Sequence, residues 1–240
     1  MKSWKIFLSI GIVIFIIGIA VFISGFAASG WKLKTSFDML TFTSEGENDT
    51  LHLGIAAGSV KVEYYEGENF EITYPDSYRF GYTVSEQDGK ITVKPKTTFT
   101  FLLGFRRIPE MTVKIPQGKI VDFKLEMSAG AAHIADGEFK NFDFNMSAGS
   151  AAIGKIKCSR FNADLSAGSL NVSGIESDNI KVDLSAGSAN LTVNGEKSDY
   201  YITVDKSAGS CNVGGQQGTV ADKVIDIDLS AGSVNVNFTN

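Results

Sequence analysis

The chain has 240 residues, of which 25 are Gly and only 4 are Pro, with 43% hydrophobic residues and a net charge of −5. This composition supplies a sizeable core and argues against a disordered stalk. Residues 1–34 carry four lysines and no acid, leaving 18 basic against 27 acidic residues in the remainder; an acidic body repels phosphate, which excludes nucleic acid as a partner.

Ile6 to Trp31 is a run of 26 residues without a charge, long enough to cross a bilayer, which needs about 20 apolar residues. It exceeds the apolar core of a cleavable signal, about 7–15 residues, although Ala27-Ala28-Ser29 offers small residues where a peptidase could cut. The expectation is an uncleaved anchor: residues 1–33 form a short tail and one transmembrane helix, and the membrane is a partner through residues 6–31. The amino terminus adds a positive charge to the short side, which favours N-inside with the rest of the chain extracytoplasmic.

Residues 34–123 read as an irregular β section. Leu51-His-Leu-Gly-Ile55 and Val60-Lys-Val-Glu-Tyr64 flank the corner Ala56-Ala-Gly-Ser59, and Phe70–Tyr74, Tyr82–Val84, Lys90–Lys94 and Met111–Gly118 follow. These segments alternate apolar with polar residues, the period of a half-buried strand. They are expected to be wider opening turns of the repeats that follow, or a β cap covering an otherwise open stack edge. Phe99–Arg107 is the most hydrophobic stretch outside the anchor, with three roles open to it: a plug in the mouth of the stack, insertion into a lipid leaflet, or docking of a partner protein.

Residues 124–240 are the regular part. Ser-Ala-Gly begins at Ser128, Ser147, Ser166, Ser185, Ser207 and Ser230, at spacings of 19, 19, 19, 22 and 23 residues. Periods of this size mark a solenoid, in which one repeat is one turn that cannot bury its own apolar face. The flanks alternate in register, so Leu165 should point inward, Ser166 outward and Ala167 inward, with Gly168 taking a backbone conformation that a Cβ resists. Stacked turns then give inward aliphatic columns and an outward Asn column (Asn171, Asn190, Asn212, Asn235) joined in its earlier turns by His133 and Ala152. The fold class predicted is all-β: a β-solenoid of about six regular turns behind the irregular section. Cys158 and Cys211 fall more than two turns apart, about 10 Å or more, beyond disulfide reach.

The Lys114-Ile-Pro-Gln-Gly118 strand exit and the Asp-Leu-Ser-Ala-Gly-Ser-x-Asn-Val turns, preceded by one apolar segment, resemble a bacterial family of unknown function whose members are named putative adhesins. Some of these are encoded with envelope-stress systems. The resemblance covers about residues 35–240 and implies a right-handed β-solenoid displayed outside the cytoplasmic membrane. Lys206 departs from it, standing where Leu or Met precedes the other Ser-Ala-Gly copies, and predicts a distorted or partly open turn.

No catalytic, cofactor-binding or metal-binding residues are expected. Ser128, His133 and Asp136 could be imagined as a triad, but Ser128 is one of six equivalent corners, five of them without a His. Glu126, Asn145, Asp164, Asp183, Asp205 and Asp228 form an outward acidic column that solvent, Lys124 and Lys181 can relieve; a weak cation site is the rival reading.

The function expected is non-enzymatic: a membrane-anchored repetitive surface for adhesion, or for interaction with an envelope protein or cell-wall polymer. Two alternatives stay open, an accessory or sensor protein in envelope-stress signalling and a self-assembling scaffold. The last turn, Ile225 to Phe238, has no sequence after it to cover it, which predicts weak self-association through a C-terminal edge.

Overall fold

The structure, a computed structural model, describes residues 36–77, 80–96, 107–214 and 223–239. The expected anchor at residues 6–31 lies outside the described residues, as do residues 99–106 of the hydrophobic stretch. Among the described residues no helix is long and apolar enough to cross a membrane. In the compact unit formed by residues 37–101 and 106–240, the described residues are all-β apart from one 3-10 turn at Lys197–Asp199.

The irregular section contributes β1 (Asp38–Thr43), β2 (Thr50–Ile55), β3 (Gly58–Tyr65), β4 (Glu71–Asp76), β5 (Tyr82–Gln87), β6 (Lys90–Pro95) and β7 (Met111–Pro116). The repeats contribute β8 (Val121–Ile134), β9 (Gly137–Lys157) and β10 (Arg160–Glu176), each running through its corner. Then come β11 (Asn179–Leu184), β12 (Gly187–Asn194), β13 (Tyr200–Lys206), β14 (Ser210–Cys211), β15 (Lys223–Leu229) and β16 (Ser233–Thr239). All sixteen belong to one open sheet.

Successive repeats pair parallel and residue for residue, apart from single register shifts between Val121 and Asp122 and between Val172 and Ile175. Phe142 lies beside Phe161, Met146 beside Leu165, Gly149 beside Gly168 and Ile153 beside Val172. Each repeat therefore completes one turn and returns a strand spacing away, so like residues stack on like. One inward column runs Ile91, Leu51, Phe123, Phe142, Phe161, Ile180, Ile225, Ile202, every member buried. Within it the rings of Phe123 and Phe142 stack at 5.0 Å, and those of Phe142 and Phe161 at 5.4 Å, only 3° from parallel. Such offset ring pairs add about 0.5–1.5 kcal/mol to the burial itself.

The corner differs from the expectation in one respect. Leu165 and Leu170 are buried, but Ala167 is exposed, as are Ala148 and Ala186; only Ala57 is buried. The interior closes at the Leu on each side, and the corner lies outside it. What fills the corner is backbone. Gly130, Gly149, Gly168, Gly187, Gly232 and Gly209 all have φ between +104° and +138°, outside the range L side chains adopt comfortably. A Cβ on Gly168 would also overlap the carbonyl oxygen of Gly149, and one on Gly149 that of Gly130. Gly is thus required twice, by dihedral and by contact.

The degenerate Ala56–Ser59 corner joins this column, because β2 and β3 both pair with β8 and Gly58 lies beside Gly130. Outside it, β6 pairs parallel with β2 and β7 with β3, making an outer turn. Ile108 packs over Gly58 there, ending the glycine column. Three antiparallel strands finish this end: β5 on β6, β4 on β7, and β1 on β4.

The opposite end corrects the expected order. The last segment of the chain is not the last turn of the stack. β15 pairs with β11 on one side and β13 on the other, and β16 lies between β12 and β14. The chain leaves β12, builds the outermost turn at residues 200–211, and returns to fill the gap it skipped. Lys206 therefore sits on the outermost rung beside Leu229, where its ammonium reaches solvent. Asn212 seals part of that rim: its Oδ1 accepts from the Val236 N–H at 2.7 Å and its Nδ2 donates to the Val236 carbonyl at 3.0 Å.

Gly168→Ala is expected to cost about 3 kcal/mol in denaturant unfolding, the sum of a disfavoured φ and a backbone overlap. Gly214→Ala, with open space around it, should cost less than about 0.5 kcal/mol. Equal effects would remove the glycine column as the organising contact.

Candidate functional site

The outward residues of the first strand run in each turn form the surface that could meet a partner. One column runs Gly54, Glu126, Asn145, Asp164, Asp183, Asp228, Asp205. It contains every member of the expected acidic column, with the last two in reversed order. Four aspartates consequently occupy adjacent rungs, where like charges repel.

Basic side chains from the next outward column relieve part of this repulsion. Lys181 Nζ lies 3.1 Å from Asp183 Oδ2. Its pKa is raised, first by that hydrogen bond and charge and then by Asp226 and Asp228. At the other end Glu126 holds Lys124 at 2.6 Å and His52 at 2.9 Å. Lys124 first, then His52, pulls its carboxyl below the ordinary value against the opposing effect of burial. Among the described residues no group of three or more His, Cys, Asp or Glu is arranged to hold a metal ion.

A groove of about 430 Å³ follows the corners along this face. Glu126, Asn145 and Asp164 line it with the hydroxyl-bearing corners Ser128, Ser147 and Ser166, and Ile55, Met127, Met146 and Pro95 add apolar wall. The groove thus offers rows of carboxylate, amide and hydroxyl groups one strand spacing apart, beside a narrow apolar strip.

The second strand run carries the amide column. Asn190 Nδ2 donates to Asn171 Oδ1 at 2.8 Å, and Asn235 Nδ2 to Asn190 Oδ1 at 2.9 Å. The ladder follows the true stacking order, 171, 190, 235; Asn212 leaves it to bind the Val236 backbone. Where Ala152 interrupts the column, a shallower groove of about 310 Å³ opens between Lys61, His133 and Asn171.

The imagined triad is not assembled. Ser128 lines the first groove and His133 the second, while Asp136 Oδ1 accepts from the Lys155 N–H at 2.8 Å. Cys158 and Cys211 are free, and burial pushes the Cys158 thiol up to about 11, which makes it a poor nucleophile.

One polar cluster escaped the sequence reading. The Glu86 carboxylate accepts from the Asn48 amide at 2.6 Å and from the backbone N–H groups of Glu45 and Gly46 at 3.0 and 2.8 Å. These bonds lower its pKa and fix the segment between β1 and β2. Nothing in the spacing of residues 45 and 86 announces the contact, since it forms only once β6 carries β5 alongside β2.

A family model described as Toastrack DUF4097 matches residues 50–240. A comparison with curated proteins returned no match. Among solved structures, a "putative adhesin" of Bacteroides fragilis aligns over 84% of this chain and 98% of its own, with 10% identity and a TM-score of 0.47. A "putative cell adhesion protein" of Clostridium sporogenes aligns over 85% of this chain and 100% of its own, with 15% identity and a TM-score of 0.40.

Glu126 supplies a pH dependence with a defined sign. Its folded pKa lies below the unfolded value of 4.5, so its contribution is complete above about pH 4.5 and is lost as pH falls through the folded value. Thermal unfolding from pH 7 to 3 should show Glu126→Gln destabilised by less than about 1 kcal/mol at neutral pH, with the gap to the parent closing below pH 4. A gap that widened on acidification would contradict the assignment.

Proposed function

This chain belongs to the Toastrack DUF4097 family, and from that premise we propose that it is a non-enzymatic, membrane-anchored protein. Its right-handed β-solenoid presents the outward ladders to a partner in the cell envelope. The partner is a cell-wall polymer or an envelope protein with repeating polar groups. The observation that carries this reading is the groove beside the Ser-Ala-Gly corners, where carboxylate, amide and hydroxyl groups recur on successive rungs.

The physical argument is one of matching periods. A single exposed hydrogen bond contributes little net free energy, but a polymer that repeats its own donors can engage several rungs at once. The later contacts are then intramolecular, and avidity rises without a new kind of contact. The carboxylates favour partners with ammonium or hydroxyl groups over phosphate-rich ones. The names of the two solved structures, both given for adhesion, are consistent with this reading.

The apolar run at residues 6–31 supports anchoring, with the amino terminus inside and the β body outside. The full chain should remain with membranes after lysis and be released by detergent, and isolated wall material should sediment it. Glu126→Lys combined with Asp164→Lys should reduce that cosedimentation at least fivefold while leaving the thermal midpoint within a few degrees. Undiminished cosedimentation of the folded double variant would sink the groove as the site.

A further inference from the structure

Three strands among those described have one edge without a strand partner and are long enough to accept another: β1, β5 and β13. Two are blunted. β13 carries Asp205 and Lys206 at its end, and β5 carries Glu86, committed to Asn48 and the backbone of residues 45 and 46. Charged side chains on an edge discourage further pairing. β1, Asp38-Met-Leu-Thr-Phe-Thr43, has a single charge at its first residue and, among the described residues, pairs with β4 alone. Met39 and Leu40, which point to opposite faces, are 45% and 40% exposed, and Phe42 is only half-buried. An edge strand whose one charge stands at its first residue, with five uncharged residues after it and apolar side chains on both faces, is open to another strand.

We propose that β1 pairs antiparallel with β1 of a second copy of this chain, about a two-fold axis through Thr41. The sequence of the strand is self-complementary in this register. Parallel self-pairing would set Asp38 beside the second copy's Asp38. An antiparallel pair centred on Leu40 would place each Asp38 opposite a Phe42. Centring on Thr41 sets Leu40 opposite Phe42 twice on one face and Met39 opposite Thr43 twice on the other. The two Asp38 carboxylates then lie at opposite ends of the strand pair.

The pairing also continues what β1 already does. Thr41 Oγ1 lies 3.0 Å from Thr73 Oγ1 across the β1–β4 ladder, and a second Thr41 extends that row of cross-strand Thr contacts. A two-fold contact uses one patch on both subunits and closes on itself, so it yields a dimer and not a filament. The proposal does not depend on what the groove binds.

The test is cysteine crosslinking of the purified full chain in detergent, in a Cys158→Ser, Cys211→Ser background. Thr41→Cys should give a disulfide-linked species of twice the chain mass on mild oxidation. Ser85→Cys, on the β5 edge, should give at least tenfold less. Adding Leu40→Asp, at an exposed position, should abolish the Thr41→Cys dimer without moving the thermal midpoint by more than a few degrees. Absence of the dimer from folded Thr41→Cys overturns the proposal. So does equal crosslinking at Ser85→Cys, or, in membranes of expressing cells, an adduct whose mass is that of the chain plus a different protein.

Discussion

At every corner beyond Gly58 the α-carbon of one glycine lies against the peptide carbonyl of the glycine one turn away, with no room for a methyl group between them. That contact sets the spacing and phase of every turn. The corners can only stack directly, so the strand runs on either side are forced into residue-for-residue register. Register in turn aligns the phenylalanines, the aliphatic columns and the asparagines. A slip by one residue would invert the faces of both runs and place a Ser or Ala Cβ against a neighbouring carbonyl. The glycines cost conformational entropy on folding, and the shared core between successive turns offsets it.

The order of that column explains how the ends are held. Counted along the stack, the corners run Gly58, Gly130, Gly149, Gly168, Gly187, Gly232, Gly209. Strands β2 and β3 lie between β8 and the later strands β6 and β7, and β15 and β16 lie inside the earlier β13 and β14. Each of these enclosed turns thus has a partner on both sides, where a plain coil would leave it to fray. The outermost rungs are the ones with irregular sequence: Lys206 for Leu at one end, and Ile108 over Gly58 at the other.

Much of this was legible from the repeat alone. The 19-residue spacing of Ser147, Ser166 and Ser185 specified parallel turns, and alternation around Leu165 and Val172 separated inside from outside. The Asn column was readable because identical polar residues at one register position must stack. The orientation of Ala167 was not, because strand alternation stops where Gly168 takes a positive φ. The exchange of the last two turns was unreadable for a different reason. A period identifies which residues are equivalent but not their spatial order once a connection is long enough to skip a rung, and the 22- and 23-residue spacings are the only trace of it. Of the candidate groove, the Ser and acidic columns were foreseen. Its wall at Pro95 was not, because β6 reaches it by pairing with β2 from forty residues away.

The stacking order depends on the placement of Gly232 between Gly187 and Gly209. Paired cysteines at the residue after each corner test it, in a Cys158→Ser, Cys211→Ser background. Ser188 and Ser233 are register partners, as are Ser233 and Ser210, whereas Ser188 and Ser210 lie two rungs apart, about 10 Å. Rapid intramolecular disulfide formation for Ser188→Cys with Ser233→Cys, and none for Ser188→Cys with Ser210→Cys, is the expected result. The reverse, a 188–210 bond and no 188–233 bond, would return the turns to chain order and contradict the account.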